Sequence, residues 1–302
     1  MFVPSKGINY SIIIPHYKVY ELLDRALKSI PDRGDIQIIV VDDNSKIGLN
    51  DFQKLNHFKY AQCSFIISQK SIGAGGARNI GLSSASGKWL LFLDSDDFFH
   101  SSAFVIFDKY LNSDFDIVYC NTMSVFSNTL EKSFRFSLYK AYIECHDGTE
   151  EKNNILKYGH NVPVAKMIKH SLVKDNEIKF DETRYCNDSM FAVKTAINSK
   201  KICVDKQVVY VVTEREGSLI THPTLEAVTI RYEVQLRVNK LIREKGMKQY
   251  QNSILSHLNQ SLRFGAHAFF KFIKLGFRYS GFNIYSLYYA RKRVIKIQKE
   301  VS

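Results

Sequence analysis

The chain has 302 residues, of which 45% are hydrophobic, 13% aromatic and 24% charged. This is a globular composition able to bury a core, and it excludes disordered, collagen-like and low-complexity chains. Five cysteines, widely spaced and with no CxxC pair, exclude a disulfide scaffold and argue against a zinc ribbon, so a reducing compartment is expected. The formal net charge is +12; residues 1–230 hold 27 basic and 27 acidic residues, so the excess lies in residues 231–302, with 15 basic against 3 acidic.

In chain order, Met1–Asn9 is polar, and no secretory leader is expected. Tyr10–Pro15 reads as a buried strand, Val19–Ile30 as a helix, and Ile36–Val41 as a β-branched strand ending at Asp42-Asp43-Asn44. Cys63–Ser68 is a third strand and Ala74–Ser84 a helix. Trp89–Leu93 is a strand that stops at Asp94, Ala103–Leu111 a helix, and Ile117–Cys120 a fifth strand. Strands alternating with helices over short loops predict βαβ units and a mostly parallel sheet, whose ligands bind at the carboxyl ends of the strands. Two of those ends are acidic. From about Phe126 to Asn161 the pattern loosens and suggests an insertion; Val164–Val173, Asp188–Ser199 and Gln207–Thr213 then add further elements.

The basic tail is also aromatic. On a helical wheel Phe264, Ala268, Phe272, Leu275, Tyr279 and Phe282 share one face, with Lys271, Lys274 and Arg278 on its flank. Such a face suits a helix lying on an anionic membrane surface. A helical subdomain packing its aromatics on the main core is the other reading, and Gly265, Gly276 and Gly281 weaken one long helix. No stretch of about 18 uncharged apolar residues predicts a membrane span.

The segment Asp94-Ser95-Asp96-Asp97 delivers three carboxylates within four residues to one sheet edge. Carboxylates this close repel one another, and a divalent cation, Mn2+ or Mg2+ by its preference for oxygen ligands, removes that cost. The structural alternative is a turn capping the next helix through Ser95 or Asp97. Ser71-Ile72-Gly73-Ala74-Gly75-Gly76-Ala77-Arg78-Asn79 is a glycine-rich loop entering a helix. It matches neither a dinucleotide fingerprint nor a Walker loop, but its Arg78 offers bidentate phosphate binding.

Taken together, Ser11–Tyr17, Ile38–Ser45, Gly73–Leu82 and Ala85–Asp97 resemble, in order and spacing, family 2 glycosyltransferases of the GT-A fold. The resemblance continues more loosely through Ile178–Glu182, Asn187-Asp188 and Arg215–Ser218. It implies an α/β GT-A domain over residues 1–225, with a mostly parallel nucleotide-binding sheet flanked by helices. The donor-binding half covers about 8–122 and the acceptor half about 123–225; a basic, aromatic, helical extension follows over 226–302. It also implies an inverting, metal-dependent transfer from a nucleoside-diphosphate sugar, with UDP as the nucleotide, to a glycan or lipid-linked hydroxyl in surface-polysaccharide synthesis, at the cytoplasmic face of the membrane and without nucleic acid.

By the same resemblance Pro15, His16 and Tyr17 line the nucleotide, Asp43 beside Asp42 holds uracil or ribose, and Arg78 contacts the donor. Asp94, Ser95 and Asp96 bind the donor, with Asp96 and Asp97 on the metal. Asp188 matches the general base, and a helix N-terminus would favour its ionised form; its structural alternative is an N-cap. Two departures stand out: Asn187 replaces the usual glutamate, and Ser71 the usual asparagine of Asn-x-Gly. Lys166 matches a frequent family lysine, or is a surface lysine, and His222 is left outside the site. A nucleotidyltransferase, or a non-catalytic sugar-nucleotide or glycan-binding subunit, is the alternative function.

Overall fold

The structure, a computed structural model, describes residues 7–46, 63–215 and 224–301. The chain begins with β1 (Tyr10–His16), α1 (Tyr20–Lys28), β2 (Ile36–Asp42), β3 (Cys63–Ile67), α2 (Gly73–Ser84), β4 (Trp89–Phe92), β5 (Phe98–Phe99), α3 (Ala103–Tyr110) and β6 (Ile117–Phe126). Next come α4 (Ser137–Glu144), α5 (Glu150–Gly159), β7 (Lys166–Lys169), α6 (His170–Asp175), α7 (Ser189–Asn198) and β8 (Ile202–Glu214). The tail adds α8 (Leu225–Glu244), α9 (Leu255–Leu262), α10 (Ala266–Arg278) and α11 (Ala290–Val301).

The sheet has eight strands in the order β3-β2-β1-β4-β7-β6-β8-β5. The β3-β2-β1-β4 half is parallel, β7 is antiparallel to both neighbours, and β6 pairs with β8 in parallel across a register shift at Cys120–Thr122. Because β1 is buried on both faces its side chains divide by alternation: Ile12 and Ile14 pack with α1 and α3, Ile13 with α2 and the later helices. The expected strands end within a residue or so of the observed ones, except that the fifth extends to Phe126.

The region expected to be an insertion instead forms α4 and α5, whose Tyr142, Ile143 and Leu156 close the second face of the sheet. The tail corrects the membrane reading of the predicted face. Ala268 and Phe272 are buried, and Leu275, Tyr279 and Phe282 pack beside them against Val228, Tyr232 and Leu236 of α8. The Phe272 and Tyr232 rings stack at 4.8 Å, and only Phe264 of that face stays exposed. Burying these rings against α8 removes more apolar surface from water than a lone surface helix could. Helix α8 also packs Val234, Val238 and Ile242 on Val193 of α7, so the extension buttresses the helix that Asp188 precedes.

Gly75 lies where α2 meets the 181 loop. A Cβ there would stand 1.9 Å from the Asp181 carbonyl oxygen, a backbone atom that cannot swing aside. Gly75→Ala is therefore expected to destabilise the protein by roughly 1–3 kcal/mol in urea unfolding; an unchanged midpoint would show that the two segments are not in contact.

Candidate active site

At the carboxyl ends of β1 and β2 the expected nucleotide residues divide. Asp42 is 1% exposed, and its carboxylate accepts hydrogen bonds from His16 Nδ1 (2.8 Å), the Ser45 amide (2.8 Å) and the Ser45 hydroxyl (2.5 Å). His16 Nε2 accepts from the Val19 amide (3.2 Å), so the ring is neutral with its proton on Nδ1. Burial, outweighing Asp42, lowers its pKa. Asp42 and His16, expected at the donor, join the two strand ends through these bonds. Asp43 accepts from the Ile72 amide (2.6 Å), the Gly73 amide (3.0 Å) and the Ser71 hydroxyl (2.9 Å), so it fastens the glycine loop at the head of α2. Ser71, one of the two departures, makes one of those bonds. Pro15 is buried in β1, whereas the Tyr17 ring is 50% exposed, with the Lys18 ammonium 5.0 Å from its centroid.

The 94–97 turn is anchored from β8. Tyr210 Oη accepts from the Asp94 amide (3.0 Å) and donates to Asp97 Oδ2 (3.0 Å). Asp97 Oδ1 accepts from the Thr213 amide (2.7 Å), and the Asp96 carbonyl accepts from the Thr213 hydroxyl (2.7 Å) and from Arg25 (2.7 Å). Asp97 is buried with both oxygens engaged; burial first, then Asp96 and Asp94, push its pKa well up. Asp97, expected on the metal, anchors the turn to β8 through these two bonds. Ser95 is buried in the same turn. The outward carboxylates are Asp94, with 37% of its side chain exposed, and Asp96, with 24%. Burial and Asp94 raise the pKa of Asp96, against Arg215 at 3.5 Å.

Arg78 is 5% exposed and spans two loops. One terminal nitrogen donates to Asp94 Oδ1 (2.6 Å), the other to Asn187 Oδ1 (2.8 Å), and the guanidinium lies 5.3 Å from the centre of the Phe180 ring. Arg78, expected at the donor, bridges the 94–97 turn and the 187 loop through one bond from each terminal nitrogen, and its buried Nε has no protein partner. Asn187 supplies the amide oxygen that receives this bridge, which gives the departure from Glu-Asp a structural role. Next door, Asn79 exchanges two hydrogen bonds with the Phe180 backbone (3.0 and 2.9 Å), and Asp181 pairs with Arg237 of α8 (2.7 Å).

Asp188 stands at the N-cap position of α7 but makes no side-chain capping bond. Burial raises its pKa, Arg78 and Lys166 oppose that, and Asp94 adds to it. Lys166 is 2% exposed rather than on the surface: its ammonium donates to the His160 carbonyl (2.7 Å) and lies 4.8 Å from the centre of the Tyr119 ring. Burial pulls its pKa down to about 7, with Asp188 pulling the other way. Sequence reasoning missed Arg25, Tyr210 and Thr213, which hold the turn from remote elements and carry no local motif. His222 and Glu216–Ser218 lie outside the described residues.

Among the described residues no group of three His, Cys, Asp or Glu side chains is arranged to hold a metal alone. The two partly exposed carboxylates, Asp94 and Asp96, nevertheless fit a Mg2+- or Mn2+-like cation that would complete its shell with other oxygen ligands. The raised pKa of Asp188 has a sign that can be checked. Stability linked to its protonation is fully present below the unfolded value of about 3.9 and is lost as pH rises through the folded value. Asp188→Asn removes that loss. In thermal unfolding of the ligand-free protein, the variant should gain on the parent at pH 8, with the gain vanishing toward pH 4; a deficit at pH 8 would contradict the burial of this charge.

The solved structures most like this fold include residues 1–349 of TarS from Staphylococcus aureus in complex with UDP-GlcNAc. The TM-score is 0.71 at 20% identity, covering 97% of this chain and 90% of that one. The mannosyltransferase PcManGT from Pyrobaculum calidifontis, in complex with GDP-Man and Mn2+, gives 0.58 at 14% identity, covering 98% and 87%. In sequence, a poly(ribitol-phosphate) beta-glucosyltransferase of Bacillus spizizenii is 26% identical over 68% of this chain, and the match spans 32% of that protein. The GalNAc(5)-diNAcBac-PP-undecaprenol beta-1,3-glucosyltransferase of Campylobacter jejuni is 29% identical over 59% of this chain and 57% of its own length. The chain thus spans about a third of the length of the first relative. The description "Glycosyl transferase family 2" matches residues 11–175, more than half of the chain, which therefore belongs to that family.

Proposed function

We propose that the protein is an inverting glycosyltransferase that moves a sugar from a nucleoside-diphosphate donor, with UDP as the nucleotide, to a hydroxyl of a glycan or lipid-linked acceptor in surface-polysaccharide synthesis. The observation that carries the reading is the single guanidinium spanning Asp94 and Asn187, which puts an uncapped Asp188 beside the carboxylate turn. Inverting transfer needs these two groups together. The carboxylate of Asp188 takes the proton of the acceptor hydroxyl as that oxygen bonds to the anomeric carbon, and the bond from that carbon to the diphosphate breaks on the opposite side.

Asp94 and Asp96 would hold the divalent cation, Mn2+ or Mg2+, which when bound neutralises charge on the departing diphosphate. The exposed ring of Tyr17 offers a stacking surface for the base, and Asp43, with three of its acceptor positions used, keeps capacity for one donor of the nucleoside. Lys166 places a cation near Asp188, and the α7 N-terminus favours the ionised base. Relatives named for poly(ribitol-phosphate) and undecaprenol-linked acceptors support an extended or lipid-linked acceptor. Among the described residues no helix is long and apolar enough to cross a membrane, and we place the enzyme peripherally at the cytoplasmic membrane face.

Asp188→Asn should cut transfer by roughly 10²- to 10⁴-fold while leaving UDP affinity within a small factor of the parent; loss of both together would remove Asp188 from the chemistry. Metal dependence is read from UDP release. Release supported by Mn2+ should stop with EDTA and be lost in Asp96→Asn, whereas release indifferent to both contradicts the cation. Because the base is shifted upward, the acidic limb of the transfer rate should fall above the ordinary carboxylate range, and a limb near pH 4 would contradict the shift.

A further inference from the structure

Residues 245–299 contain 11 lysines and arginines and no aspartate or glutamate. Within that stretch α10 spends one face on α8. Its other face presents His267, Phe270, Lys271, Lys274, Phe277 and Arg278, all exposed, and at 100° per residue these positions fill an arc of roughly 120°. Phe270 is 67% and Phe277 70% exposed; seven residues apart, they stand about 10 Å from each other along the axis. Leu262 (54%) and Phe264 (37%) add apolar surface at the head of the helix. Among the described residues no salt bridge engages Lys271, Lys274 or Arg278.

We propose that this face of α10 docks on an anionic lipid bilayer, with Phe270 and Phe277 entering the headgroup boundary and Lys271, Lys274 and Arg278 against the lipid phosphates. The charge selects the partner. A second copy of this chain would bring like charges together. A soluble polyanion would match the cations but leave two large rings in water, and a neutral apolar protein groove would take the rings and desolvate the cations. A bilayer of anionic lipid takes both, since apolar burial and electrostatic attraction act at the same depth. The inference deepens the membrane-face placement proposed above and rests on it. Docking is measured without donor or metal, so its failure and a failure of the transfer chemistry are separate results.

The test is co-sedimentation of the full chain with vesicles of phosphatidylcholine alone and with phosphatidylglycerol added. The protein should pellet with the anionic vesicles and be released by salt. Phe270→Ser with Phe277→Ser, and separately Lys271→Glu with Lys274→Glu, should each weaken binding at least about tenfold. Thermal unfolding and UDP affinity should stay unchanged, since neither pair is part of the core. Indifference to anionic lipid overturns the proposal. So does equally tight binding to soluble polyphosphate that survives loss of the two phenylalanines, because that result assigns the patch to a polyanion.

Discussion

One buried guanidinium joins the two halves of this site. Arg78 leaves α2 with two fixed acceptors, Asp94 on the 94–97 turn and Asn187 beside Asp188, and it is almost removed from water. A buried cation left with one partner is costly, so each loop holds the other in place through it. The supports converge on the same point: Asn79 ties α2 to Phe180, Gly75 lets the 181 loop approach, and Arg237 of α8 holds Asp181. The basic extension is thus part of the scaffold of the candidate site as well as a surface.

The aspartates divide between scaffold and chemistry by where their oxygens point. Asp42, Asp43 and Asp97 receive backbone amides and hydroxyls that would otherwise be buried unsatisfied, whereas Asp94 and Asp96 stay partly exposed and Asp188 makes no capping bond. Clusters of carboxylates at strand ends therefore serve twice: some members fix the loops so that others can stand close together despite repulsion. Burial first, and then the closeness of Asp94, raise the proton affinity of Asp96, which a bound cation would reverse.

The parallel half of the sheet was legible because its strands are continuous apolar runs closed by Pro15, Asp42 and Asp94. The helices α4 and α5 were not, since one-sided burial of Tyr142, Ile143 and Leu156 leaves a polar outer face that reads as loop. The 94–97 turn and Asp188 were visible as residues, but their division of labour was not. Which carboxylate of the turn is held inward depends on Tyr210 and Thr213, more than a hundred residues away and without a motif. In the tail the amphipathic stripe was legible, but its direction was not: Gly276, where a Cβ would meet the Phe282 ring at 2.3 Å, lets the segment after α10 fold back onto it.

The central claim is that Arg78 couples the 94–97 turn to the 187–188 loop, and a double-mutant cycle on Arg78→Met and Asn187→Leu measures it most directly. Unfolding free energies and single-turnover transfer rates would be determined for both single variants and the pair. The account predicts non-additivity of about 1–3 kcal/mol in stability, the double variant being less damaged than the sum of its parts, because removing both partners leaves no orphaned charge or amide between them. Additive losses would contradict it and leave the two loops independently held.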